Sequence, residues 1–270
     1  MSLILCRQEP VTSPFFIEEL GIHIHSSQEL CYVIYHHPLL VMEDFVDESL
    51  VAFLQSELRM PFLAERIAKW TETRGASDEL LFLILQDCAY YSQQEQTRYR
   101  QEVSNLRKLS AGEYRKRRAD YFYALGLYGK AVAMYEKILE SAREKNYPAE
   151  FKGKIWNNIA ACYAKLFCYQ KAMHAYDCAW NEKPEKEYLK RMYFLLKMEP
   201  ELTMKDHYRE LLKAEDTGLW DQEAADALTA AKEADSVKKV SYMFDKDPIK
   251  RISGAGELLN RWKLEYRRMI

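Results

Sequence analysis

Four of the six histidines lie within the first 37 residues, so they are the first candidates for chemistry in this chain. They are His23, His25, His36 and His37, with Cys31 and Glu29 nearby in sequence. A metal ion needs ligands that converge on one point, whereas adjacent or alternate histidines on a helix point in different directions. Their spacing also matches no zinc motif. We therefore expect surface or half-buried histidines, with no bound metal and no cofactor.

A second candidate is the Ser-Gly-Ala-Gly stretch at residues 253–256, which resembles a fragment of a phosphate-binding loop. The Gly-Lys-Ser/Thr that should follow is missing, and no strand precedes it, so a glycine turn before a helix start is the better interpretation. The chain also lacks a nucleophile elbow, a kinase motif set, a dinucleotide fingerprint and a His-Glu-x-x-His motif. We therefore expect that the protein is not an enzyme. An active site built from scattered residues, most plausibly among the amino-terminal histidines, is left open.

The third candidate is a basic stretch between residues 98 and 118, in which eight cations stand against two glutamates and leave a local charge of +6. The cations are Arg98, Arg100, Arg107, Lys108, Arg115, Lys116, Arg117 and Arg118. The last four are consecutive and pass most of the way round a helix, so they must project into solvent or meet acidic partners. A solvated helix start is the main interpretation. The alternative is a nucleic-acid-associated regulator whose affinity falls steeply with salt.

Composition limits these options. The 270 residues include only 9 glycines and 8 prolines, with 48% apolar and 30% charged residues, which favours a globular helical chain. The net charge of −2 makes nucleic acid an unlikely partner and gives no support to a membrane surface. No apolar run approaches the length of a membrane span. The six cysteines are far apart without a Cys-x-x-Cys pair, so we expect a reducing compartment, the cytoplasm.

After position 45, apolar residues repeat at three- and four-residue intervals, as on amphipathic helices. The three stripes are Leu50, Leu54 and Leu58, then Leu63, Ile67 and Trp70, then Leu81, Ile84, Leu85 and Cys88. Ser26 with Glu29 and Ser92 with Glu95 have capping-box spacing, and Ser77 suits a helix cap. Residues 1–109 are therefore predicted to form a small helical domain, although the first 45 are too irregular for a firm assignment.

Residues 119–138 and 160–179 carry similar residue types at the same offsets, displaced by 41 residues. The first copy has Ala119, Phe122, Gly126, Tyr128, Ala131 and Tyr135, and the second has Ala160, Tyr163, Tyr169, Ala172, Tyr176 and Ala179. In such a pattern, small residues let paired helices approach closely and aromatic residues fill the space between pairs. Both copies resemble the tetratricopeptide repeat, a helix-turn-helix of about 34 residues. The longer displacement departs from that pattern, as do Arg115 and Arg118 at positions that usually hold large apolar residues.

The resemblance implies an all-α fold, an α-α superhelix preceded by the small helical domain. Residues 110–186 would hold the two repeats, and residues 187–270 divergent helical repeats with a capping helix. The last helix would be lined by Leu259, Trp262, Tyr266 and Met269, after an exposed loop at residues 245–256. Incomplete capping there would leave an apolar face for self-association. Bacterial proteins with amino-terminal helices before such repeats are also similar, a loose likeness that implies no function.

The inner helices of such repeats line a concave groove. Register within the repeat places seven residues on it: Lys116, Asp120, Tyr123, Asn157, Asn158, Ala161 and Lys165. Some related domains bind the acidic carboxy-terminal tails of chaperones. Lys116 and Asn158 of this chain correspond to two of the positions that bind the tail carboxylate in those domains. Asp120, however, stands where an asparagine is expected and would repel a carboxylate. Three further cations, Lys186, Lys190 and Arg191, lie out of register with the last pair.

These observations predict a non-catalytic scaffold or adaptor that binds a protein or peptide segment in the groove. An acidic segment is one option for that partner. A co-chaperone gripping an acidic tail and a nucleic-acid regulator using residues 98–118 are the alternatives left open, and the oligomeric state is not assigned.

Overall fold

The computed structural model describes residues 9–43, 45–72, 77–145, 147–244 and 248–270. The chain divides into two compact units, Met1–Tyr121 and Phe122–Ile270. Within the described residues, the structure has fifteen α-helices and one short two-stranded sheet. The predicted all-α fold class is confirmed.

The first unit contains a small hairpin followed by helices. In chain order the elements are β1 (Phe15–Ile17), β2 (Ile22–Ile24), α1 (Ser27–His36), α2 (Pro38–Val41), α3 (Glu48–Ser56), α4 (Pro61–Glu72), α5 (Ser77–Cys88), α6 (Gln93–Arg107) and α7 (Ala111–Ala124). The last of these, α7, crosses the boundary between the two units. The domain boundaries predicted from the sequence, after residues 109 and 186, stay predictions.

The hairpin is the part of this unit that the sequence did not predict. β1 and β2 pair antiparallel, with Phe15 opposite Ile24, and Gly21 takes the left-handed conformation that the turn requires, with φ of 65°. The ring of Phe15 lies 6.1 Å from Phe45 and 5.7 Å from Phe53. Three residues per strand give too short a pattern to distinguish a strand from a helix.

The helical stripes are largely confirmed. Leu54, Ile67 and Ile84 are fully buried, and α5 packs against α1, α4 and α6. These contacts form the core of the first unit.

Two of the three predicted caps are confirmed. Ser92 and Glu95 form the complete capping box, and the Ser26 hydroxyl accepts a bond from the Glu29 amide. The second bond expected of a box at Ser26 is missing, because the Glu29 carboxylate accepts from the His25 amide instead. The prediction for Ser77 was wrong, because Ser77 is the first residue of α5 and its hydroxyl donates to the Met42 carbonyl over 2.7 Å.

The second unit begins inside α7 and continues as helices. They are α8 (Tyr128–Lys145), α9 (Ala149–Lys165), α10 (Tyr169–Glu182), α11 (Lys186–Met198), α12 (Asp206–Leu211), α13 (Ala214–Glu233), α14 (Asp235–Phe244) and α15 (Pro248–Met269). α9 packs against both α8 and α10. Ala160, Ala172 and Ala179 are completely buried, as expected where small residues allow close helix packing.

The predicted loop at residues 245–256 was wrong from Pro248 onward, and residues 245–247 lie outside the described residues. Pro248 starts α15, where proline is tolerated because the first amides of a helix have no intrahelical acceptor. Gly254 and Gly256 therefore lie inside a helix, and the 253–256 stretch is neither a phosphate loop nor a glycine turn before a helix start. At Gly254 a Cβ would lie 3.0 Å from the Met243 sulfur, so glycine allows that contact.

Candidate functional site

One face of α9 stays accessible while the opposite face is buried. Asn157, Ala161 and Lys165 follow one another at four-residue spacing, and Asn158 lies beside them. Asn157, Asn158 and Ala161 are half-buried and Lys165 is exposed. These are the α9 residues predicted for the groove, and the structure brings them together on one helical face.

The two asparagines belong to a hydrogen-bonded network. The Asn157 amide donates to Asn158 Oδ1 over 3.1 Å, and the Asn158 amide donates to the Tyr135 hydroxyl over 3.2 Å. Tyr135 is on α8 and is 1% exposed, so its hydroxyl is held by the core. The network thereby fixes the orientation of amide groups that face a partly accessible surface.

Arg191 on α11 joins this network from the other side. Its Nη1 donates to Asn157 Oδ1 over 2.9 Å, and its Nε donates to Glu187 over 2.9 Å. Burial opposes the charge on Arg191, but the effects of Glu187 and Tyr176 together outweigh it and raise the pKa of the guanidinium. Arg191 therefore stays protonated. Sequence register had left this residue outside the groove.

Tyr135 and Tyr176 occupy the same position in the two repeats, 41 residues apart. The repeat pattern predicts packing roles for both, and both rings are indeed buried. The Tyr135 hydroxyl also accepts from Asn158, and Tyr176 helps to raise the pKa of Arg191. The signal that could have revealed this is tyrosine, rather than phenylalanine, at both equivalent positions.

Tyr123, at the carboxyl end of α7, also belongs to the second unit. Its ring lies 5.2 Å from that of Tyr128. Burial and the neighbouring Tyr128 raise the pKa of Tyr123, while Arg191 lowers it, so the tyrosine lies within electrostatic reach of the guanidinium. The groove position predicted for Tyr123 stays a prediction.

Lys116 and Asp120 belong to the first unit and form an ion pair, with Lys116 Nζ 2.7 Å from Asp120 Oδ2. The residue that departs from the carboxylate-binding pattern is therefore the residue that neutralises the matching lysine. Lys186 and Lys190 on α11 are neutralised too, by ion pairs with Asp216 and Glu223 of α13 over 2.5 and 2.6 Å.

The basic stretch is partly neutralised within the first unit. Arg107 forms a two-pronged pair with Asp78, with distances of 2.7 and 2.6 Å, and Arg100 lies 4.6 Å over the Phe82 ring. Lys116, paired with Asp120, and Arg118, paired with Glu43, bring to four the cations of this stretch that have a partner in the first unit.

Within the predicted basic patch, the three arginines differ. Arg118 is half-buried and paired with Glu43, and burial lowers its pKa. Arg115 and Arg117 are exposed. The expectation that this helix start meets solvent or acidic groups is confirmed, and the acidic groups come from the same unit.

The amino-terminal histidines lie where the sequence predicts. His23, His25 and His36 are exposed, and His37 is half-buried with its ring hydrogen-bonded to the Tyr121 hydroxyl. In the described residues, no group of three His, Cys, Asp or Glu side chains is arranged to hold a metal ion.

A cleft of about 440 Å³ beside α10 was not predicted. Its floor holds Asp177, which accepts bonds from Lys205 at 2.7 Å and from the Tyr208 hydroxyl at 2.7 Å. Burial opposes ionisation of Asp177, but these two donors outweigh it and lower the carboxyl pKa. The contacts tie α12 to α10, which is a structural role.

Comparisons with known proteins add no further constraint: no family model, no curated protein and no solved structure matches the chain. Of the helices described, none combines the length and apolar character needed to cross a membrane.

Proposed function

We propose that the second unit is a non-catalytic protein-binding module, and that residues 110–186, which include α7 to α10, are built from two tetratricopeptide repeats. The binding groove is the accessible face of α9, extended by Tyr123 and Arg191. The repeat assignment is supported by helix-turn-helix units whose turns have the same backbone conformation, with left-handed residues at Gly126 and Phe167.

The observation that carries the proposal is the network of Asn157, Asn158 and Arg191 on a partly exposed face. Amides held by the buried Tyr135 hydroxyl, and a guanidinium held by Glu187, offer donors and acceptors to the backbone or carboxylates of a bound segment. Because the groups are already oriented, binding costs less side-chain entropy than it would for free side chains. This suits recognition of an extended or helical polypeptide.

The partner is a protein or peptide segment, and Arg191 with Lys165 makes an acidic segment a chemically reasonable choice. The tail-binding co-chaperone alternative has weaker support, because Lys116, Lys186 and Lys190 are already paired with acidic residues. The nucleic-acid alternative is weakened likewise, since four of the eight cations at 98–118 have partners within the first unit. The cytoplasm is the proposed location, where the five described cysteines would remain free thiols.

The experiment places a photo-crosslinking amino acid at Lys165 in the full chain, expressed in its native cell. The crosslinked partner is identified by mass spectrometry. Ala161→Arg fills the same helical face and should abolish the crosslink, while Asn157→Ala combined with Asn158→Ala should weaken it strongly. Gln170→Arg, at an exposed position on α10, is the matched control and should leave the crosslink intact.

A crosslink that persists in Ala161→Arg would remove the α9 face from the proposal. Circular dichroism of each variant checks that the helices are retained. Affinity for nucleic acid that falls steeply with salt, without a crosslink at Lys165, would favour the regulator instead.

A further inference from the structure

The three last helices, α13, α14 and α15, are called here the C-terminal arm. Among its described side chains, Trp220 alone is buried. Eleven large apolar side chains from this region are more than a third exposed: Leu219, Leu228, Val237, Tyr242, Phe244, Ile252, Leu259, Trp262, Leu264, Tyr266 and Ile270. A helix that packs in the core of its own chain buries its apolar stripe, and these helices do not.

The arm is nevertheless anchored at both ends. At its start, Trp220 lies 5.6 Å from the Tyr193 ring, and Lys197 lies 2.9 Å from Asp221 in line with the two lysine pairs on α11. At its end, the Tyr266 hydroxyl donates to the Leu166 carbonyl over 3.4 Å, and a Cβ at Gly129 would overlap the backbone of Ile270. The exposed apolar surface is therefore held in place rather than carried on a loose tail.

The apolar residues of α15 form one stripe. Ile252, Leu259, Trp262 and Tyr266 share a helical face, and the first three are 75%, 50% and 50% exposed. Leu259, Trp262, Tyr266 and Met269 were expected to line a closing helix, but the first three are exposed and the stripe is open.

Charge indicates what covers this surface. α13 has six acidic residues and one lysine, a net charge of −5, whereas α15 has six cations and two glutamates, a net charge of +4. Three of the α13 acids pair with α11 and Glu233 pairs with Lys238, which leaves Glu215 and Asp226 exposed on one face of the helix. On α15, Lys263 and Arg267 are exposed beside the apolar stripe.

We propose that two copies of this chain associate about a two-fold axis, with the α15 stripe of each copy packed against α13 of the other. A two-fold interface requires a self-complementary surface, and an acidic helix beside a basic, apolar one provides it. Pairing α15 with α15 would oppose like charges. An anionic lipid surface would attract α15 but would meet the acidic α13 in the same arm.

The first test measures the mass of the full chain by analytical ultracentrifugation over a range of concentrations. The expected mass is twice the 31.9 kDa of one chain. Leu259→Glu with Trp262→Glu should halve it, because carboxylates would be buried in the interface. Phe62→Glu, at a side chain that is 82% exposed in the first unit, is the matched control and should stay dimeric. Circular dichroism confirms that each variant keeps its helices.

The second test exchanges the charges. Glu215→Lys with Asp226→Lys makes one variant, Lys263→Glu with Arg267→Glu makes the other, and each alone should sediment as a single chain. Mixed in equal amounts they should restore the double mass, because both α13–α15 contacts are then complementary again.

A wild-type chain that keeps the mass of one copy at every concentration would overturn the proposal. So would a mixture that fails to reassociate, since the interface would then not join α13 to α15. Binding of the single chain to vesicles of anionic phospholipid, lost in Trp262→Glu, would assign the stripe to a lipid surface instead.

Discussion

Gly126 and Phe167 adopt the same left-handed backbone conformation at equivalent points of two helix-turn-helix units, with φ of 77° and 60°. The hydrogen bonds around them also repeat. The amide of Leu127 bonds to the Phe122 carbonyl over 3.0 Å, and that of Cys168 to the Tyr163 carbonyl over 2.9 Å. The backbone conformation of the turn therefore recurs after the same 41 residues as the sequence pattern.

This equivalence predicts opposite effects of two substitutions. Phe167→Gly should raise the free energy of unfolding by about 0.5–1 kcal/mol, because glycine has no side-chain penalty in the left-handed region and the Phe167 ring is 66% exposed. Gly126→Ala should lower it by about 1 kcal/mol, although a Cβ there would meet no atom within 4 Å. Urea denaturation measures both. A destabilised Phe167→Gly would mean that the exposed ring contributes more than the strain costs.

The ion pair between Arg107 and Asp78 should stabilise the first unit. The Asp78 side chain is 11% exposed and accepts two charge-assisted bonds, so Asp78→Ala should lower the free energy of unfolding by about 2 kcal/mol. The control is Glu65→Ala, which breaks an exposed pair with Lys69 and should change it by less than about 0.5 kcal/mol. Equal effects in the two variants would contradict this prediction.

Stability should fall on mild acidification because of His37. Burial, with a smaller effect of His36, lowers the pKa of His37 below its ordinary value of 6.5. The unfolded chain then binds more protons just below pH 6.5, so this contribution to stability is present above that pH and is lost as the pH falls. The melting temperature of His37→Gln should depend less on pH between 7.5 and 5.5 than that of the wild type. His23→Gln, at an exposed position, should keep the wild-type dependence.

Cys31 should resist alkylation in the folded protein. A hydrogen bond with the Cys88 thiol, together with burial, raises the pKa of the Cys31 thiol far above its ordinary value. Because the thiolate is the reactive form, iodoacetamide should modify half-buried Cys168 before Cys31, and both at similar rates in denaturant. Peptide mass spectrometry reports each site. Equal labelling of the two in the folded chain would show that Cys31 is accessible and ionised.

Much of the helical architecture could be predicted because local patterns specify it. The stripe through Leu50 and Leu54 and the capping box of Ser92 each depend on residues within a few positions, which helix geometry brings together. The hairpin at Phe15–Ile17 and the first turns of α15 were missed for the same reason. Three-residue strands have no readable period, and two glycines inside a helix resemble a turn.

For the candidate site, too, part could be predicted from the sequence and part depended on the tertiary structure. By itself the sequence determined the 41-residue repeat and the α9 face that Asn157, Ala161 and Lys165 share, because the helix period fixes which side a residue occupies. That this face is a groove stays a prediction. Only the tertiary structure decided that Arg191 joins those asparagines, that Lys116, Lys186 and Lys190 are neutralised, and that the stripe at Trp262 stays open. Each of these depends on contacts with residues distant in sequence, and side-chain periodicity along one helix carries no record of which other helix lies against it.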